Sequence, residues 1–232
     1  MDIEIVRLLP VLGLGFILGL EHALDADHVV AVTTIVSETK SFKKSSLMGM
    51  VWGIGHTATL MMVALLVLIF KLNIPNRLAM SMEFIVGIVL ILLGVNVLWK
   101  IYQHKIHVHT HKHGGEVHTH FHSHQKSKAH SHLHTSLLMG MVHGLAGSAA
   151  LMLLVLATLP SVTEGIIYVL IFGAGSVLGM MIISSLIGLP FILSMKIKKI
   201  NSIIKFSAGF ISIVLGLMIM YQIGFVDGLL KF

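Results

Sequence analysis

Ionisable side chains are concentrated in one short stretch of an apolar segment near the N-terminus. Residues 21–28 read Glu-His-Ala-Leu-Asp-Ala-Asp-His and hold three of the chain's ten acidic residues. A carboxylate at bilayer depth costs ~2.5–3.5 kcal/mol on insertion scales, so it is rare there without a functional reason. The nearest basic residues, Arg7 and Lys40, are more than ten positions away. The compensating charge must therefore come from protons, another helix or a bound metal cation.

The residue types in this stretch favour a metal cation. Imidazole suits nickel, cobalt, copper and zinc, and carboxylate adds charge and hard-ligand character. At about 100° per helical residue, His22, Asp25 and His28 share one face, whereas Asp27 falls off it. We therefore expect either a bent helix or a role for Asp27 in orienting a ligand. The alternatives are a proton relay and interhelical hydrogen bonding, which is usual for a single histidine.

Two further histidines lie inside apolar segments. His56 follows Gly53 and Gly55 and falls about 15 Å into its predicted helix at ~1.5 Å per residue. That depth is near the midplane, where transporter sites are usually found, so we expect His56 to be a ligand. His143 has a comparable depth, and for it coordination and packing are equally plausible.

A third group of histidines lies in the polar segment 104–134, which holds twelve of the chain's sixteen. Such tracts are typical of metal binding of low specificity, and the segment has too little apolar content to fold independently. We expect a flexible cytosolic loop that buffers metal; the alternative is a solvated linker. The candidate loop ligands are His107, His109, His111, His113, His118, His120, His122, His124, His130, His132 and His134.

The elements that carry these residues are membrane-spanning helices. Of 232 residues, 56% are hydrophobic and 11% charged, against about 25% charged in a soluble domain. With no cysteine in the chain, a disulfide-stapled module is excluded as well. We predict an all-α polytopic membrane protein with six helices, of which all but the first are about one bilayer thick, while the longer first run must tilt, bend or protrude. The apolar runs lie at 8–35, 46–70, 82–103, 135–159, 165–190 and 202–223.

The distribution of basic residues predicts the orientation of the helices. Twelve of the sixteen lysines and arginines fall in the first, third and fifth loops. By the positive-inside rule these loops, including the His-rich one, face the cytosol and both termini face outward. Because the basic residues lie in membrane loops, we expect no nucleic-acid partner.

Internal similarity divides the chain into two halves. The pattern Gly-x3-Gly recurs with similar neighbours in 15–23, 49–57 and 140–148, and Phe-x2-Gly-x6-Gly begins at both Phe84 and Phe206. We predict two inverted three-helix repeats, as in many secondary transporters; close helix packing alone is the alternative. The expected domains are 1–103 with the metal motif, the loop 104–134, and 135–232.

These motifs resemble those of the nickel/cobalt transporter (NiCoT) family. His22-x4-Asp27-His28, with Asp25 between, resembles the signature His-Ala-x-Asp-Ala-Asp-His, which is highly specific. Gly55-His56-Thr57 resembles a second motif, usually Gly-His-Ser, which is weak alone. The close resemblance covers about the first 65 residues, and the rest is similar in helix count and repeat.

The second half departs from typical members, which have eight helices and later Asp-Thr motifs. Its sequence at 143–150, His-Gly-Leu-Ala-Gly-Ser-Ala-Ala, resembles the compact six-helix UreH-like branch, which is associated with nickel supply. A related efflux branch also has six helices and a His-rich loop, but its motif resembles His-Gly-x2-Pro-Gly-His. The intact Asp-Ala-Asp-His here favours uptake.

The resemblance and the residues together predict a secondary transporter in the cytoplasmic membrane, and not an enzyme. It would move Ni²⁺, with Co²⁺ as a second candidate, into the cytosol for metalloenzymes such as urease or hydrogenase. The alternatives are efflux of these metals and a non-transporting metal-binding protein or sensor. We expect no resident cofactor; the partners are the ion, the bilayer and, as a candidate, a cytosolic metallochaperone. The expected transport site comprises His22, Asp25, Asp27, His28 and His56, with His143 as a further candidate.

Overall fold

Long helices account for most of the computed structural model. It describes the backbone of residues 2–71, 74–106, 110–113, 116–119, 129–145, 158–159 and 161–231, and the side chains of these residues outside 2–8 and 104–132. The described helices are α1 (Asp2–His22), α2 (Ala26–Val36), α3 (Phe42–Phe70), α4 (Asn76–Ile106), α5 (Ala129–Leu145), α6 (Val162–Ser194) and α7 (Lys198–Tyr221). A short π-helical segment, Gln222–Val226, continues α7.

The first predicted run is a broken helix. Its two parts, Leu9–His22 and Ala26–Val36, meet at an angle of 53°. Across the break the backbone N–H groups of Leu24 and Asp25 donate to the carbonyls of Glu21 and His22. The bend that the spacing of the acidic residues allowed is therefore present, and it falls inside the ionisable stretch.

The remaining runs agree with long helices as far as they are described. Four helices are long and apolar enough to cross a membrane, namely α3, α4 with Asn76–Gln103, α6, and α7 with its π-helical extension to Val226. The broken pair α1–α2 would make a fifth span in this part of the chain. The predicted run 135–159 continues past Leu145 into residues outside the described set. The helical membrane class is thus confirmed, while the count of six spans is tested only in part.

Two pairs of helices pack in antiparallel orientation through glycines. On α3, Gly49 lies against Ser184 of α6 and Gly53 lies against Val177, so one helix ascends as the other descends. The same reversal holds between α4 and α7, where Gly87 meets Gly216 and Gly94 meets Gly209. Glycine is required at such points because the backbones approach too closely for a Cβ atom.

Two other pairs pack in parallel orientation. On α1, Gly15 lies against Tyr168 and Gly19 lies against Phe172 of α6. On α5, Ser136 donates a hydrogen bond of 2.6 Å to the carbonyl of Met48 of α3, and one turn later Gly140 lies against Trp52. Helices α3 and α6 therefore form the centre of this bundle, flanked by α5 and α1.

The segment 104–134 contains a feature that the prediction of an irregular loop did not include. Strands β1 (Thr110–His113) and β2 (Glu116–Thr119) pair in antiparallel register, with His111 opposite His118. At its end the segment joins α5, which begins at Ala129. The domain boundary predicted at 134 therefore falls inside a helix.

Candidate metal centre

Two carboxylate–imidazole pairs lie at the break between α1 and α2. Nδ1 of His22, on the last turn of α1, is 2.8 Å from Oδ2 of Asp25. Nδ1 of His28, on the first turn of α2, is 3.1 Å from Oδ1 of Asp27. Asp25 occupies the N-cap position of α2 but makes no side-chain capping hydrogen bond there, because its carboxylate is turned toward His22. Glu21, the third acidic residue of the stretch, is exposed.

Three histidine rings from α1, α2 and α3 converge beside this break. The ring centroids of His22 and His28 are 4.5 Å apart, and those of His22 and His56 are 4.9 Å apart. His28 and His56 are separated by 5.1 Å between centroids. One ligand atom of each ring lies within 4.8 Å of the others, the arrangement needed to hold one ion. All three rings are buried.

The carboxylates determine which ring nitrogens face the centre. With Nδ1–H of His22 donating to Asp25, its Nε2 is an acceptor, and Nε2–H of His56 donates to it across 3.0 Å. With Nδ1–H of His28 likewise directed to Asp27, Nε2 of His28 has no hydrogen-bond partner among the described residues. A buried imidazole nitrogen without a partner is costly unless something else binds it.

Asp25, Asp27 and His28 form a second group whose ligand atoms lie within 4.8 Å of one another. This group overlaps the histidine group at His28 but is more exposed, with 46% of the Asp25 side chain and 23% of Asp27 accessible. The carboxylates thus lie around the rim of the centre, and the imidazoles line its buried interior.

His143 on α5 joins the cluster from the other half of the chain. Its ring centroid is 5.5 Å from that of His28 and 4.9 Å from that of Trp52. Nδ1–H donates to the carbonyl of Met139 at 3.0 Å, which leaves the buried Nε2 without a partner in the part of the chain that is described. All four histidines outside the segment 104–134 therefore lie together, although 121 positions separate the first from the last.

The predicted loop ligands lie mostly outside the described residues. Side chains are not described between 104 and 132, so the structure does not relate those histidines to the centre. His134 is described; it is exposed on the first turns of α5.

Sequence inspection missed three neighbours of the histidines. The ring of Phe172 on α6 is 5.7 Å from that of His22, Trp52 covers His143, and Ser176 lies beside Gly19 one turn before His22. A comparison of the second and fifth predicted helices would have found Ser176, because Gly173-x-Gly175-Ser176 repeats Gly53-x-Gly55-His56.

Comparison with known proteins places this centre in a family. The model of NicO, described as a high-affinity nickel-transport protein, matches residues 8–225. The chain is 41% identical over 232 residues to the urease accessory protein UreH of Bacillus sp. (strain TB-90), with 97% of each chain covered. No solved structure matches the chain. The similarity extends far beyond the first 65 residues, which carry the recognisable motifs, and it includes α5 with His143. The chain belongs to the NicO family and is a multi-pass membrane protein for nickel transport, not an enzyme.

Proposed function

We propose that the chain carries Ni²⁺ into the cytosol and binds it between His22, His28 and His56. The observation that carries this proposal is the pair of carboxylate–imidazole contacts, His22 with Asp25 and His28 with Asp27. Metal-ligating histidines almost always donate their other ring N–H to such an acceptor, which sets the tautomer and raises ligand basicity. Asp25 and Asp27 then supply negative charge and orientation, and the three imidazoles supply the bonds.

The spacing of the facing nitrogens is short enough for one transition-metal ion to bind both. Ligand nitrogens lie about 2.1 Å from a transition-metal ion, so two of them at a right angle are ~3.0 Å apart and two at a tetrahedral angle are ~3.4 Å apart. Nε2 of His22 and Nε2 of His56 are 3.0 Å apart. Without an ion this contact is a hydrogen bond, and an ion that binds both nitrogens displaces the Nε2 proton of His56; imidazole ligands of this kind suit Ni²⁺ among the divalent transition metals. Co²⁺ uses the same ligands and is the second candidate cargo.

We further propose that the helices form two inverted halves, α1–α4 and α5–α7 with the intervening segment. The packing supports this arrangement because each parallel contact has a counterpart. Gly19 on α1 meets the carbonyl of Phe172 and the amide of Ser176 on α6. On the other side, Gly140 on α5 meets the carbonyl of Trp52 and the amide of His56 on α3. In this register Gly140 corresponds to Gly19, whereas alignment of the Gly-x3-Gly patterns pairs Gly140 with Gly15.

We propose that the chain lies in the cytoplasmic membrane. Both termini then face outward and the segment 104–134 faces the cytosol. The support is the excess of lysine and arginine in the alternate loops. The similarity to a urease accessory protein supports a role in supplying nickel to urease. Hydrogenase is the other candidate recipient, and a cytosolic metallochaperone is the candidate carrier.

Accumulation of radiolabelled nickel tests direction and site together. Cells that express the wild-type chain should gain nickel over vector-only cells, and His56→Ala should abolish the gain because it removes one of the three ligands. His134→Ala is the matched control, since this exposed histidine lies outside the centre, and it should transport like wild type. Lower nickel than in vector-only cells would show efflux, and an unchanged content would favour a sensor; either outcome contradicts uptake.

A further inference from the structure

The correspondence between the two halves extends to the residues around the metal centre. His22 follows Gly19 by three positions and His143 follows Gly140 by three. The ring of His22 lies 5.7 Å from Phe172, and the ring of His143 lies 4.9 Å from Trp52. Between the central helices α3 and α6 the contacts are reciprocal. Gly53 of α3 lies against Val177 of α6, and the corresponding Gly173 of α6 lies against Thr57 of α3. His143 is thus the counterpart of His22, and Ser176 is the counterpart of His56.

These two counterparts are both buried and both carry an unused polar atom. His143 and Ser176 are 0% exposed, and neither Nε2 of the histidine nor Oγ of the serine has a hydrogen-bond partner in the described parts of the chain. Ser176 is unusual among its neighbours in this respect. Ser184 and Ser185, on the same helix, donate to the carbonyls of Met180 and Met181. A buried polar group left without such a bond requires an explanation.

We propose that His143 and Ser176 form a second coordination station for the transported ion, the counterpart of His22 and His56. This inference rests on the proposed function. Among the described residues around the two stations, the first has carboxylates on two of its histidines, whereas His143 is held by the carbonyl of Met139. The second station is therefore the weaker one. His28 lies beside both, 5.1 Å from His56 and 5.5 Å from His143 between ring centroids.

A weak station next to a strong one would help a tightly bound ion to leave its site. Binding must be favourable enough for entry and weak enough for departure, and adjacent sites satisfy both conditions. At the second station a neutral imidazole and a hydroxyl can replace only part of the ligand shell, and water completes it. The ion can then exchange the imidazoles of the first station for ligands of the second, one at a time, without losing all of its ligands at once.

Chemical labelling tests whether the ion reaches Ser176. The chain contains no cysteine, so Ser176→Cys introduces a single thiol, and Ser184→Cys is the matched control on the same helix. In purified protein, 2-aminoethyl methanethiosulfonate should modify the thiol of Ser176→Cys, and Ni²⁺ should slow that reaction at least ~10-fold, the low end of effects at metal-site partners. At Ser184→Cys, where the buried thiol is packed against Gly49 of α3, reaction should be slow or absent and Ni²⁺ should not change it. A rate at Ser176→Cys that Ni²⁺ leaves unchanged, or no reaction there at all, overturns the proposal.

Transport separates this inference from the proposed function. Ser176→Ala should lower the maximal nickel uptake about 10-fold while the Kd of the purified protein for nickel changes less than ~2-fold, because the first station is intact. Ser184→Ala should match wild type in both. If His56→Ala abolishes uptake and Ser176→Ala does not lower it, the second station alone is wrong. If His56→Ala leaves uptake intact, the proposed first site is wrong.

Discussion

Asp25 and Asp27 are the residues whose roles the structure clarifies most. Sequence spacing left each of them as a ligand or an orienting acceptor. Each carboxylate is within 3.1 Å of Nδ1 of a histidine, and the other nitrogen of both rings remains for the centre. Their main role is then to fix the tautomer and the orientation of the two imidazole rings. They also offset the positive charge of an ion in an apolar region.

We predict that Asp27→Ala weakens nickel binding about 10–100-fold, the range for loss of an acceptor behind a metal-bound histidine. Asp27→Asn should have a smaller effect, since its amide oxygen still accepts from Nδ1 of His28. The measurement is titration calorimetry of purified protein. Glu21→Gln is the control, because Glu21 is exposed in the same stretch and its substitution should leave the Kd near wild type. Equal losses for Glu21→Gln and Asp27→Ala would indicate a general effect of negative charge.

Residue types and spacing predicted a site of His22, Asp25, Asp27, His28 and His56, since ionisable groups in an apolar run stand out by their insertion cost. The structure brings these side chains together, and their binding of metal stays a proposal. Insertion cost could not decide the role of His143 or draw attention to Ser176, which in the sequence is marked by the repeat of Gly53-x-Gly55-His56 alone. A serine in a membrane helix usually donates to its own backbone at no notable cost, and its exceptional state is visible only when the partners of Ser176 are sought in three dimensions.

At the scale of elements, the broken helix is what brings ligands from neighbouring turns into one site. His22 ends α1 and His28 belongs to the first turn of α2, and the 53° bend brings their rings to 4.5 Å between centroids. The spacing of the ionisable residues predicts either a bend within the first run or an orienting role for Asp27. Spacing cannot decide between the two, whereas the structure shows both the bend and the contact of Asp27 with His28.

The close approach of α1 and α6 should tolerate little added volume. A Cβ atom at Gly19 would overlap the carbonyl of Phe172, whereas no described atom lies within 4 Å of one at Gly13. We predict that Gly19→Ala lowers the Tm of the purified protein, since overpacking costs about 1–3 kcal/mol. Gly13→Ala should keep or raise the Tm because alanine is the better helix former. A Gly19→Ala Tm equal to that of Gly13→Ala would show that the two helices do not touch there.

At the scale of the molecule, the two halves contribute unequally to one centre. The first half carries both carboxylates and three of the four clustered histidines, and the second contributes His143 and, in the proposed second station, Ser176. The helical membrane class could be predicted from hydropathy, and the division into two halves, which the glycine patterns predict, stays a proposal. The register between the halves could not be predicted, because Gly-x3-Gly matches at more than one offset and only contacts such as Gly140 with Trp52 distinguish them.

Topology offers a prediction at this scale. We expect His120→Cys, in the His-rich segment, to resist an impermeant thiol reagent added to intact cells and to react after lysis. Asn76→Cys, at the start of α4 and exposed, should react in intact cells because it follows the second, external loop. The physical basis is the positive-inside rule. Labelling of His120→Cys from outside would reverse the orientation of the whole chain.

The His-rich segment should modulate transport without forming its path. Replacement of every histidine from 107 to 124 by glutamine keeps length and polarity and removes the imidazoles. We expect initial nickel uptake to stay close to that of wild type, since a polar tract outside the membrane helices can buffer ions but does not form a passage through them. Tolerance of high external nickel should fall as buffering is lost. Abolished uptake, with the variant still inserted in the membrane, would make the segment part of the path.

Nickel X-ray absorption on purified protein tests the central claim most directly, namely that His22, His28 and His56 bind the transported ion. The background is a variant with glutamine in place of every histidine from 104 to 132, so that His134, the control position, is the one loop imidazole that remains. We predict one nickel ion per chain with nitrogen and oxygen ligands and multiple scattering from at least three imidazoles. Adding His56→Ala should remove one imidazole from the nickel shell, and adding His134→Ala should remove none. An unchanged spectrum and stoichiometry with His56→Ala would contradict the account.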